Sequence, residues 1–322
     1  MVQMRSQLLD NRKWGSLLFV IHATCTLLRR VSIKQAKMKK LDLLVFIIVW
    51  IFYVALFEVN ASMRSDLVDE SSIGNKVFES TYTIPIADIS ITITYDNFPY
   101  TERLSTAWGF SCLIRGGQKT ILFDTGGNGS ILLANMKELD INPEEVDAII
   151  LSHIHGDHVG GLERFLERNK KVSVYLPRSF PRGFTENLRI SGIKIVEVHD
   201  AARICGGVYT TGELGEGIKE QSLIVHTTRG IIVITGCAHP GIVGILKRAK
   251  DLIKDDILLV MGGFHLGGSS KKDLEKIILS FRELGVKYVG PCHCSGDLAR
   301  QMFKEEYGNN YIHLGVGRKI EF

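Results

Sequence analysis

The chain has 322 residues, 45% hydrophobic and 23% charged, enough apolar material for the core of one large α/β domain or two small ones. Its formal charge of +4 is unevenly spread: nine Lys/Arg against Asp10 give residues 1–40 a charge of +8 and leave −4 for the rest. A mildly acidic remainder argues against a polyanion-binding surface, so no nucleic-acid partner is expected.

Residues 43–57 (LLVFIIVWIFYVALF) carry no charge, follow Lys39 and Lys40, and precede the small-residue stretch Val59-Asn60-Ala61-Ser62. A basic start, an apolar core and small residues at a cleavage position describe a secretory signal, with Met38 as an alternative first residue. The same run is near the lower length limit for a bilayer span and reads alternatively as an uncleaved anchor, its basic cluster on the cytoplasmic side. Residues 1–60 are therefore expected to form a targeting segment or membrane anchor, and residues 61–85 a polar, serine-rich linker. Residues 86–322 are expected to fold as one domain, exported or tethered outside the cytoplasm. If the segment is not a signal, the protein is cytoplasmic.

From residue 89 the chain alternates Ile with Ser or Thr, the pattern of a half-buried strand. Residues 111–115 and 120–123 read as a hairpin around GGQ. Asp124 ends its second strand, where an aspartate is often a turn former. Asn97, after the first strand, is either half of a turn-forming Asp-Asn pair or a contact to a ligand. Ser130 is the expected N-cap of a helix reaching residue 139, followed by a strand at 148–151. Strands at 172–176 and 193–198 come next, then a hairpin of 222–225 and 231–235 around TTRG. Helical spacing marks 242–253, and 256–261 is a strand. Leu274, Ile277, Ile278, Phe281 and Leu284 share one helix face that Gly285 closes. Residues 288–290 are expected to be the last core strand. Two strand-rich halves with interleaved helices predict an α/β domain of two stacked sheets with helices outside. Cys112, Cys205, Cys237, Cys292 and Cys294 are an odd number, and several adjoin histidines, so no disulfide framework is expected. The Cys292-His293-Cys294 run lacks a second cysteine pair, which argues against a structural zinc finger.

The densest chemistry lies at residues 152–162, SHIHGDHVGGL, where His153, His155, Asp157 and His158 fall within six consecutive residues between a strand and a helix. With His at 10 of 322 positions, chance gives this pattern in roughly 10⁻⁶ of six-residue windows. Imidazole and carboxylate are the usual ligands of borderline divalent metals. Along an extended loop His153 and His155 point the same way and can grip one ion. The Gly156-Asp157 turn then lets Asp157 and His158 face a second, and two such ions can share an activated hydroxide. His239, His265 and His293 also fall just after predicted strands and are expected to converge on this loop.

These residues, with Tyr95-Asp96-Asn97, LFDTGG at 122–127, EQSL at 220–223, TGCAHPGI at 235–242, GGFHL at 262–266 and HCSG at 293–296, resemble the metallo-β-lactamase superfamily. Within it they resemble the branch of the archaeal dihydropterin–ribofuranosylaminobenzene-phosphate synthase and its metal-dependent hydrolase relatives. The resemblance implies an αββα sandwich and two divalent metal ions, zinc by default, with manganese or iron as alternatives. It implies His153, His155 and His239 on one ion, Asp157, His158 and His293 on the other, and Asp124 orienting a histidine. Cys237 stands where the superfamily commonly has a bridging aspartate, so either it is a thiolate ligand or the bridge is missing. Asp157 is expected to handle a proton, His265 to act as a general acid or contact a substrate phosphate, and Asn97 to face the substrate. The expected function is hydrolysis of an ester or phosphorylated small molecule through a metal-bound hydroxide. The alternatives are a transferase resembling the synthase and a catalytically silent, membrane-tethered binding protein.

Overall fold

In the computed structural model, which describes residue 78 and residues 82–322, the alternating stretch becomes strand β1 (Ser90–Tyr95). The strand is buried on both faces, not one. Its polar face is satisfied internally: Thr94 Oγ1 donates to Ser111 Oγ at 2.9 Å, and Asn135 Nδ2 donates to the Thr94 carbonyl at 3.1 Å. The hairpin of β2 (Ser111–Arg115) and β3 (Ile121–Phe123) forms as predicted. Helix α1 (Gly129–Glu138) is capped by Asn128 and not by Ser130. Both residues are good caps, but Asn128 is the extended one, and its side chain accepts from the N–H groups of Ser130 and Ile131.

Strand β4 (Ala148–Ile150) leads into the short helices α2 (Gly156–Val159) and α3 (Leu162–Leu166). Then come β5 (Ser173–Pro177), α4 (Arg182–Ile190) and β6 (Lys194–Val198), with β3 to β6 paired in parallel. Strands β7 (Ala202–Cys205), β8 (Val208–Thr210), β9 (Leu223–Thr227) and β10 (Gly230–Thr235) form an antiparallel meander. In the β9–β10 hairpin Thr227 pairs with Gly230, so the loop is tighter than the four-residue turn expected. Helix α5 (Ile242–Ile253), β11 (Ile257–Gly263), α6 (Lys271–Glu283) and β12 (Tyr288–Cys292) add two parallel crossovers, and α7 (Asp297–Tyr307) follows. Strand 288–292 is not the last: β13 (Lys319–Glu321) returns to pair with β1.

One sheet runs β13-β1-β2-β3-β4-β5-β6 and the other β12-β11-β10-β9-β8-β7. Ile93, Phe123, Ile232 and Met261 belong to one apolar cluster shared by both sheets. On the far side of the second sheet, Val233 and Val260 cluster with Leu246 of α5, Phe281 of α6 and Phe303 of α7. On the far side of the first, Leu122 and Val174 cluster with Leu132 of α1 and Phe165 of α3. The layers are thus helix, sheet, sheet, helix. Each fully buried Ile, Leu or Phe contributes about 1.5–3 kcal/mol. The expected targeting segment at residues 1–60 lies outside the described residues, and among those described no helix is long and apolar enough to cross a membrane. The five cysteines described are all free.

Strands β3, β4, β10, β11 and β12 end at one edge, where open α/β sheets hold their ligands. Four non-glycine residues there turn through left-handed backbone: Asp124 (φ 57°), Ala238 (62°), His265 (51°) and His293 (50°). Each costs about 1–3 kcal/mol, and such conformations gather where geometry serves chemistry.

Candidate metal centre

Ser152 leaves β4 with its N–H donating to Asp124 Oδ1 and its hydroxyl donating to Asp124 Oδ2, both at 2.7 Å. With that proton committed, the Ser152 oxygen accepts from His153 Nδ1 at 2.9 Å. His158 Nδ1 donates to Asp124 Oδ2 at 2.7 Å. Both imidazoles are thereby held with Nδ1 as donor, which leaves Nε2 as the atom that can meet a metal. Asn97 does the same for His293: its Oδ1 accepts from His293 Nδ1 at 2.9 Å, and its Nδ2 donates to the His293 carbonyl at 3.4 Å. Asn97, expected to face the substrate, thus has both amide atoms on a histidine.

Two adjoining sets of donor atoms result. His153, His155 and His239 form one, with ring centroids 4.7–4.8 Å apart. Asp157, His158, Cys237 and His293 form the other. Here Cys237 Sγ lies 3.2 Å from His158 Nε2, and Asp157 Oδ2 lies 3.5 Å from His158 Nε2 and 3.2 Å from His293 Nε2. The rings of His153 and His158, one from each set, are 4.2 Å apart. These residues fit divalent cations. The Nε2 atom of His239 is buried with no hydrogen-bond partner, an arrangement that costs about 1–3 kcal/mol for an orphaned group and that a cation would relieve. Imidazoles with one carboxylate and one thiol suit a borderline ion.

The electrostatics agree. Burial, reinforced by neighbouring histidines, pushes His153 well below the usual imidazole range and His239 down to about 4, so both are neutral. Burial also lowers His293. Burial opposes the Asp157 charge, but His158 and His293 hold its carboxyl well below the usual range. His158 is the exception: burial opposes its charge, yet Asp124 and Asp157 push it up to about 10. The two carboxylates demand a positive charge at its Nε2, whether a proton or a metal.

The loop after β10 is held by Glu220, which the sequence reading passed over within EQSL. Its Oε1 accepts from the N–H groups of Gly236, Cys237 and Ala238 at 3.1, 2.9 and 2.8 Å, and its Oε2 accepts from His239 N–H at 2.8 Å. Burial pushes its carboxyl up against these bonds. Gly236 admits no side chain: a Cβ would meet Ser152 Oγ at 2.1 Å and Asp124 Oδ2 at 2.9 Å. At position 236 only glycine lets the β10 loop lie this close to Ser152 and Asp124.

Two further side chains at the centre were not anticipated. Cys294 joins Cys237 and His265 in a third group of donor atoms. Trp108, 60% exposed, lies with its ring 4.9 Å from that of His293. His265 is exposed, its ring 4.3 Å from that of His239.

Asp124 is both turn residue and support, so Asp124→Asn separates the roles. The amide keeps the shape but sets an NH₂ against two donors, and divalent-metal affinity is expected to fall about 10–100-fold. Calorimetric titration of the metal-free chain reads this directly; unchanged affinity would reduce Asp124 to a turn former.

Residues 109–293 match the model of the metallo-beta-lactamase superfamily. The chain is 31% identical over 280 residues to the 7,8-dihydropterin-6-methyl-4-(beta-D-ribofuranosyl)-aminobenzene-5'-phosphate synthase of Methanocaldococcus jannaschii, an alignment covering 72% of this chain and 95% of that protein. It is 29% identical to the uncharacterized protein MJ0448 of the same organism, over 71% of this chain and 99% of that one. Among solved structures, Tm1679, a metal-dependent hydrolase of the beta-lactamase superfamily, is similar with a TM-score of 0.62 and 28% identity, covering 73% of this chain and 99% of that one.

Proposed function

The chain belongs to the metallo-β-lactamase superfamily, and from that premise we propose that it is a dinuclear metal-dependent hydrolase of an ester or phosphorylated small molecule. The observation that carries this reading is the pair of adjoining donor sets, His153/His155/His239 and Asp157/His158/Cys237/His293. Divalent ions held there, zinc by the imidazole and thiol donors, would supply Lewis acidity toward an ester or phosphoryl oxygen and an activated water.

The remaining work falls to the chain. Asp124, Ser152 and Asn97 keep Nε2 of His158, His153 and His293 directed into the centre. Asp157 is the one carboxylate in the two sets, 21% exposed in its side chain, and is the group we assign to take up the proton lost by the attacking water. His265, at the exposed rim, is assigned to a substrate oxygen. Trp108 offers an apolar wall beside His293. Export of the domain, expected from residues 38–62, favours hydrolysis over a step in a cytosolic cofactor pathway.

The 31% identity spanning 95% of the M. jannaschii synthase supports a second reading, a transferase in which the same residues orient a phosphate leaving group for attack by an amine. Elemental analysis of the full chain, with an assay panel of phosphodiester, lactone and pterin-diphosphate substrates, separates the two. The hydrolase reading expects at least about two equivalents of metal and hydrolysis that disappears in His153→Ala. Condensation of the pterin diphosphate with an arylamine, without hydrolysis, would favour the transferase. Metal-free protein without turnover would remove both.

A further inference from the structure

Cys294 and His265 lie outside the two donor sets of the dinuclear reading, yet the fold brings both onto the centre. Cys237 follows β10, His265 follows β11, and Cys294 sits in the turn His293–Ser295 after β12. Their donor atoms all lie within 4.8 Å of one another. The cluster is shaped, not incidental. A Cβ on Gly263 would stand 2.3 Å from the Gly236 carbonyl oxygen, 2.8 Å from Cys294 Sγ and 3.2 Å from Cys237 Cα, so the absent side chain admits both the neighbouring backbone and the sulfur. Cys294 Sγ reaches within 3.7 Å of the Cys237 carbonyl. His265 is held at φ 51°, a conformation that costs a non-glycine residue about 1–2 kcal/mol.

We propose that Cys237, His265 and Cys294 form a third metal seat, for a thiophilic divalent ion of the zinc class, which shares the Cys237 sulfur with the Asp157–His158–His293 set. Two thiolates and an imidazole are soft and borderline donors of the kind such an ion takes, with a fourth place left for solvent. Exposure of His265 supplies that place and the route to it. Loading is a simple exchange: the ion enters, and each protonated thiol that ligates it releases its proton to solvent. The shared sulfur makes this seat an extension of the dinuclear reading and rests on it. The seat also draws His265 away from substrate, so ion and substrate compete for one imidazole.

The test is titration of the full, reduced, metal-free chain with cobalt(II), following near-ultraviolet thiolate-to-cobalt charge transfer alongside bound metal. The wild-type chain is expected to saturate at about three equivalents. Cys294→Ser and His265→Ala are each expected to saturate at about two, and Cys294→Ser to lose about half of the charge-transfer absorbance. His265 is exposed, so His265→Ala carries the test if Cys294→Ser disturbs folding. Saturation of the wild type at about two equivalents, with unchanged stoichiometry in both variants, overturns the third seat and leaves the dinuclear reading intact. Saturation at about one or below in the wild type overturns both.

Discussion

Glu220→Gln is expected to lower the midpoint of thermal unfolding by about 6–12 °C and to empty the histidine set of its metal. The substitution preserves shape but not chemistry. Four backbone N–H groups, of Gly236, Cys237, Ala238 and His239, converge on the two carboxylate oxygens. A glutamine offers one acceptor and turns its NH₂ toward at least one of those donors. Leaving a buried donor unpaired and weakening the bonds to a charged acceptor costs about 3 kcal/mol together, which for a domain of this size corresponds to that shift. The loop carries His239, so its displacement also takes a ligand from His153 and His155. Calorimetric melting and metal analysis on one sample check both effects. A shift below about 2 °C with full metal content would mean that the loop is held by other contacts.

Asp157→Asn carries the second large effect, on turnover and not on folding. The side chain stands between His158 and His293, 3.5 and 3.2 Å from their Nε2 atoms. Asparagine retains an oxygen there but loses the charge and the capacity to hold a proton. A drop of about 10³ in kcat/KM is expected, within the range for a lost general base, together with weaker binding of one metal equivalent. Asp124→Asn, which acts only through His158 and Ser152, should cost activity about 10–100-fold. If Asp157→Asn remains within about tenfold of wild type while binding metal normally, the proton passes through another group.

Much of the fold and part of the centre were legible because the signal was local. The Ile-Ser-Ile-Thr-Ile-Thr alternation declares a strand without reference to its neighbours, and His153, His155, Asp157 and His158 declare a metal loop because they are contiguous. What the sequence hid depends on which strand ends meet. Glu220 looks like an ordinary charged residue before a strand; only the hairpin brings its carboxylate under the N–H groups of 236–239. Cys294 reads as a neighbour of His293 until Gly263 is seen to make room for it beside Cys237. Asn97 and His293 are 196 residues apart, and no spacing rule reaches that far. Strand β13 has one apolar residue in three and exists only because β1 offers it an edge. Ser130 has the side-chain chemistry of a cap, but the extended backbone that a cap needs falls at Asn128.

The donors of the centre come from both layers: His153, His155, Asp157 and His158 hang from the β3–β4 side, and Cys237, His239 and His293 from the β10–β12 side. The two sheets meet through apolar side chains, which have no directional preference, and through hydrogen bonds from Gln221 to the Leu151 and Ser152 carbonyls. An ion held by both His158 and Cys237, 79 residues apart, would add a further tie between the sheets. Closing a loop of that length in a free chain costs about 4 kcal/mol of entropy, comparable with what a covalent cross-link removes from the unfolded state. Among the described residues every cysteine is free, so the cross-link that small domains often draw from sulfur–sulfur bonds would here be mineral.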